Sequence, residues 1–80
     1  GLHCAALAAV PEAIRTRILR SAAIAAGCPA GALSAGHVES LAALVLAWRG
    51  QQGVDLPGQV RASRVCGTLL FAARHEESAP

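Results

Sequence analysis

The stretch whose reading decides the fold is "GVDLPGQVRASRVCGTLLF", Gly53–Phe71. Its "DLPG" puts proline and glycine where a reverse turn favours them. The runs "QVRASRV" and "TLLFAA" are β-prone and flank "CG", which predicts a hairpin over about residues 59–72. Strict alternation sets Val60, Ala62 and Arg64 on one face, and Arg61, Ser63 and Val65 on the other. One arginine therefore shares the side of the apolar residues, an unusual place for a charge that only solubilises.

Upstream the pattern is helical. "HCAALAAV" predicts a short helix over about 3–9, and Pro11 opens a second over about 11–26. A fixed φ and a missing N–H suit proline to the first helical position, and Gly27 suits the position just past the end. Glu12 in the first turn complements the helix dipole. At 100° per residue, Ile14, Ile18, Ala22 and Ala25 share a stripe with Leu19 on its flank. Arg15 falls beside that stripe, Arg20 opposite it and Arg17 at the edge of the opposite side. After the loop "CPAGA", Ser34 caps a third helix over about 35–49, which Gly50 stops. Val38, Leu41, Val45 and Trp48 form its core stripe, widened by Ala42 and Leu44. His37, in the first turn, reads as a neutral helix-terminal histidine rather than a catalytic one. The expected fold is α+β: a small, mainly helical domain of one short and two longer helices, then a C-terminal β-hairpin, over 1–72. Residues 73–80, ending in "RHEESAP", are expected to form a flexible tail.

Composition bounds the core and the chemistry. Eighty residues make one domain or a piece of a larger protein, and a chain this short buries only roughly 60% of its unfolded surface. Nineteen residues are alanine, and Trp48 and Phe71 are the only aromatics. That suits helices better than it fills a core, so a partner domain or a second copy of the chain is expected to help. All seven basic residues are arginines, and the net charge of +2 permits a nucleic-acid partner without requiring one. Cys4, Cys28 and Cys66 lack any CxxC or CxxH spacing, so they are expected to be thiols in a reducing compartment rather than zinc ligands. Leu2–Val10 has no basic leader segment, and Ser21–Gly36 is interrupted by "GCPAG" and too short to cross a bilayer. A soluble, cytoplasmic protein without a membrane partner is expected. There is no phosphate-binding glycine loop and no pair of carboxylates in an ordered region. No catalytic residue, metal site or cofactor is expected in this chain.

The succession "AALAAVPEAIRTRILRSAAIAAG", "LSAGHVESLAALVLAWRGQQGVDLPG" and "QVRASRVCGTL" carries a further signal. It resembles the region after the catalytic domain in bacterial tRNA(Ile)-lysidine synthetases, above all actinobacterial forms, from about Leu2 to Phe71. "HV", "WRGQ" and "VDLPG" carry most of the likeness. As the resemblance implies, such enzymes convert the wobble cytidine of an isoleucine tRNA with a CAU anticodon into lysidine. ATP adenylates the cytidine C2 carbonyl, and free lysine displaces AMP.

That chemistry belongs to an N-terminal catalytic domain with an SGGxDS-type loop, and no such loop occurs in this sequence. The resemblance thus implies an accessory tRNA-binding domain of an ATP-dependent carbon–nitrogen ligase. Its partners would be isoleucine tRNA and its own catalytic domain, which would hold ATP and lysine. Arg15, Arg17 and Arg20 match arginine positions in the family's first long helix, Arg49 the arginine of "WRGQ", and Arg64 the one after the Leu-Pro-Gly turn. Arg61, the hairpin's other arginine, joins them as a candidate tRNA contact. Ser21, Ala22 and Ala23 stand where relatives often have Arg-Trp-Leu, and Gln59 where they often have a second glycine. The competing expectation is a structural or dimerisation module that packs on the catalytic domain or a second copy without touching tRNA.

Overall fold

The hairpin closes through Cys66 and Gly67, whose φ values are 51° and 76°. Positive φ at both central residues makes a primed two-residue turn, whose twist matches that of the strands it joins. The computed structural model describes residues 1–51 and 53–73. Strand β1 is Leu2–His3, β2 Val54–Leu56, β3 Val60–Val65 and β4 Thr68–Ala73. The helices are α1, Cys4–Ala9; α2, Glu12–Ala25; and α3, Ala35–Leu46, with a single 3₁₀ turn at Ala30–Ala32. Three helices with an antiparallel sheet bear out the α+β class.

The sheet is larger than a hairpin. Its strand order is β1-β4-β3-β2, antiparallel throughout. The β3–β4 register runs unbroken from Val60↔Ala73 to Val65↔Thr68, so no bulge intervenes. Neither β1 nor β2 was expected. Leu2 pairs with Leu69, and the Cys4 N–H donates to the Gly67 carbonyl at 2.9 Å, tying the start of α1 to the hairpin turn. Two- and three-residue strands are too short for a local pattern: β1 is created by pairing across the chain, and β2 by folding back on β3 around the Leu-Pro-Gly turn. The predicted hairpin, 59–72, is displaced by one residue at each end. Ala73 belongs to β4 rather than to the predicted tail, and 74–80 lie outside the described residues.

Ser34 caps α3 as expected and does so reciprocally. Its Oγ accepts from the His37 N–H at 3.3 Å, and its own N–H donates to His37 Nδ1 at 2.9 Å. Histidine thus takes the part usually given to Glu or Gln in a capping box. Gly27 ends α2 with φ 123°, its N–H donating to Ile24 O and that of Cys28 to Ala23 O, both at 3.0 Å. Those two bonds define a Schellman ending. Pro11 sits one residue earlier than predicted, as the cap before α2.

The core gathers Cys4 and Leu7 of α1, Leu19 and Ala23 of α2, and Val38, Leu41, Leu44 and Val45 of α3. Cys28 and Leu33 of the loop join it, with Leu56, Val60, Ala62 and Leu69 from one sheet face. Helix α3 packs on α1, α2, β2 and β3 and is the hub. The buried stripe of α2 differs from the predicted one. Ile14 is 46% exposed, whereas Leu19 and Ala23 are fully buried. With α3 as its main neighbour, α2 buries a narrow i, i+4 stripe, and the small Ala23 lets the two helices approach.

Candidate nucleic-acid interface

Each of the six candidate arginines starts from a different local geometry. Arg15 Nη1 donates to Val10 O at 2.9 Å and to Leu7 O at 3.3 Å. It therefore caps the C-terminal end of α1 and its link to α2. Arg20 donates to Leu33 O at 3.0 Å through Nη1 and to Ala30 O at 3.2 Å through Nη2, pinning the 3₁₀ turn before α3.

Arg64 points inward, as strand alternation predicts. Its Nη1 reaches Leu44 O at 2.8 Å and Val45 O at 3.2 Å. A guanidinium on the last carbonyls of α3 satisfies orphan acceptors and meets the negative end of the helix dipole. The predicted helix over 35–49 stops earlier than expected, with Arg64 on its last carbonyls. Leu46 is its last residue, and Ala47, the cap, leaves helical geometry at φ −134°, ψ 39°. Trp48 consequently falls outside the helix and is 46% exposed, not part of a buried stripe.

Arg61 lies on the outer face of β3 and pairs with Asp55 at 2.6 Å, with side chains 40% and 51% exposed. Gly53 lets it lie flat. A Cβ there would meet Ala62 O at 2.7 Å and Arg61 Nε at 3.0 Å. Arg17 and Arg49 are exposed, and among the described residues their guanidinium groups form no hydrogen bond or ion pair.

Two places bring candidates together. A groove of about 330 Å³ between α2 and α3 is flanked by Arg15 and Arg20 with Glu12 and Glu39, over Val38, Ala42 and Leu46. The second lies past α3. The Arg64 guanidinium carbon sits 5.2 Å from the Trp48 ring centroid, and Arg49 follows Trp48 in sequence. Arg61 and Arg64, on opposite faces of β3, do not meet. Sequence reasoning missed Trp48 as a surface group. The available signal was Gly50, whose φ of 88° turns the chain two residues later.

Burial pushes the Cys28 thiol above its ordinary range. Among the described residues, no helix is long and apolar enough to cross a membrane.

Comparison with known proteins places the chain in a family. A family model described as the TilS substrate binding domain matches residues 2–70. The tRNA(Ile)-lysidine synthase of Thermobifida fusca is 57% identical over 72 residues, covering 90% of this chain and 22% of that protein. The enzyme of the same name from Streptomyces coelicolor is 53% identical over 71 residues, covering 89% and 20%. That of Mycobacterium leprae is 38% identical over 76 residues, covering 95% and 21%. The chain thus spans about a fifth of the length of these relatives. No solved structure matches it. The chain belongs to the TilS substrate binding domain family.

Proposed function

From this membership, we propose that the chain helps hold the isoleucine tRNA with a CAU anticodon while a separate catalytic domain converts its wobble cytidine to lysidine. The family match across residues 2–70 carries the proposal. The parent protein would be a cytoplasmic ATP-dependent carbon–nitrogen ligase, with ATP and lysine bound by its catalytic domain. This chain, a unit reaching to the end of β4, supplies binding and not chemistry.

The geometry supports a division of labour among the candidates. Arg17 and Arg49 are the arginines free to take phosphates. Arg61 can exchange its partner, because an exposed ion pair contributes only about 0–1 kcal/mol to the fold. Arg15, Arg20 and Arg64 act mainly through the scaffold, since each already holds backbone carbonyls. Phosphate contacts fix register and orientation without reading sequence. Paired RNA is recognised by shape, 2′-hydroxyls and phosphates, which suits a domain with two aromatic residues.

The test is a binding titration against the isoleucine tRNA transcript over a range of salt, with an unrelated tRNA as control. Arg17→Gln and Arg49→Gln should each reduce the log–log salt slope by about 0.7–0.9 and leave thermal stability unchanged. No binding at any salt, or binding that neither variant alters, would refute the reading.

A second role, packing on the catalytic domain or on a second copy, has its own support. Val65 and Leu70, on the outer sheet face, are 50% and 39% exposed. Sedimentation over a concentration range checks self-association, and a strict monomer excludes it.

A further inference from the structure

The feature left unused is the turn after α3, Trp48–Gln51. The Trp48 Nε1–H donates to Gln51 O at 3.2 Å, and the Arg49 N–H donates to Gln51 Oε1. Gly50 supplies the positive φ that the reversal needs. Arg64, anchored on α3, lies against the ring at 5.2 Å. The indole is therefore held in place with its N–H satisfied, and close to half of the residue's surface is open to solvent.

A rigid exposed ring loses little freedom when a partner covers it. The Arg64 guanidinium stands beside it, and Arg49, the next residue in the chain, is exposed with a guanidinium that has no partner among the described residues. Positive charge next to a part-exposed indole suits a ligand that joins a flat ring to an anion, and an unpaired nucleotide does so. An apolar protein surface would gain nothing from the two charges.

We infer that Trp48 stacks on an unpaired base of the bound RNA while Arg49 takes an adjacent phosphate. This rests on the tRNA-binding reading and adds to it a place on the domain and a second class of RNA element, an unpaired base beside the paired RNA whose phosphates the other arginines would meet. Stacking tolerates any base, so the contact adds affinity and position rather than sequence choice.

The chain has one tryptophan and no tyrosine, so its intrinsic fluorescence reports Trp48 alone. Fluorescence is followed as the chain is titrated with the isoleucine tRNA transcript, a single-stranded oligoribonucleotide and a fully paired RNA duplex. Anisotropy of labelled tRNA gives the affinity independently. The transcript and the oligonucleotide should quench Trp48, and the duplex should not. Trp48→Ala should weaken tRNA binding about 5- to 150-fold with the salt slope unchanged, whereas Arg49→Gln should lower the slope.

Because Trp48→Ala also strips the ring from Arg64, two further variants keep the test readable. Trp48→Phe should recover most of the affinity and Trp48→Leu should not. Salt-dependent tRNA binding with unmoved fluorescence and full affinity in Trp48→Ala would overturn stacking and leave tRNA binding standing. Full affinity in Trp48→Leu would overturn it as well. A fluorescence change with the catalytic domain but none with RNA would make the turn a protein contact, which also overturns it. Absence of any tRNA binding would remove both readings.

Discussion

Replacing Arg64 by alanine separates scaffold from interface most sharply. The perturbation removes a donor shared between Leu44 O, at 2.8 Å, and Val45 O, at 3.2 Å, and the cation beside Trp48. A hydrogen bond involving a charged group contributes about 1.5–3 kcal/mol when well shielded. A cation at a helix C-terminus adds roughly 0.3–1 kcal/mol, and an exposed cation–π contact about 0.5–1 kcal/mol. These terms overlap, and the half-buried site lets water take over part of the carbonyl solvation. A net loss of about 2 kcal/mol is expected. For a domain of this size that lowers Tm by about 8–16 °C. Thermal melts followed by circular dichroism measure it, with tRNA binding titrated well below the lowered Tm. Arg64→Lys should recover part of the loss, since an ammonium reaches one carbonyl but does not stack as a planar guanidinium does. The salt slope of tRNA binding should not change in either variant. A Tm within about 2 °C of the parent, together with a slope reduced by about 0.7–0.9, would falsify the structural assignment and make Arg64 a phosphate contact.

Three further outcomes follow from backbone geometry and burial. Gly58 has φ 81°, and a Cβ there would lie 2.6 Å from Gly27 O and 2.8 Å from Pro29 Cδ. Gly58→Ala should cost more than the roughly 1–2 kcal/mol of left-handed strain alone, and a denaturant midpoint close to that of the parent would count against the close approach. Gln59 holds φ 62° without being glycine, so Gln59→Gly should stabilise by a few tenths to about 1 kcal/mol after the entropy of the freer unfolded chain is offset; a lower Tm would show that its side chain makes up for the strain. Burial raises the Cys28 pKa, which shrinks the thiolate fraction at any given pH. Alkylation near neutrality should therefore label exposed Cys66 first and leave Cys28 until the pH rises or the chain unfolds, and peptide mass spectrometry showing equal rates would contradict the burial.

Much of this molecule was legible along the chain. Pro11, Gly27 and Ser34 mark helix limits because capping is chemistry between residues a few positions apart. Alternation in "VRASRV" set Arg61 and Arg64 on opposite faces unless a bulge intervened, and the unbroken register holds them so, with Arg64 inward. The arginines were also legible as a set, but their tasks were not. Helical periodicity set Arg20 opposite the apolar stripe and Arg17 at the edge of that side, yet Arg17 faces solvent while Arg20 reaches carbonyls thirteen and ten residues away.

What the sequence determined by itself is the helical framework, the hairpin and its turn, and the likeness that the family match confirms. Tertiary structure alone decided the short outer strand β1, the buried stripe of α2, the early end of α3 and the exposure of Trp48. The physical reason is common to all four. Each depends on a partner distant along the chain: Leu69 for Leu2, α3 for Leu19 and Ala23, Arg64 for the carbonyls of Leu44 and Val45. Local propensity carries no information about which distant group will arrive, so it could not show that Trp48 meets Arg64 at the surface instead of filling the core.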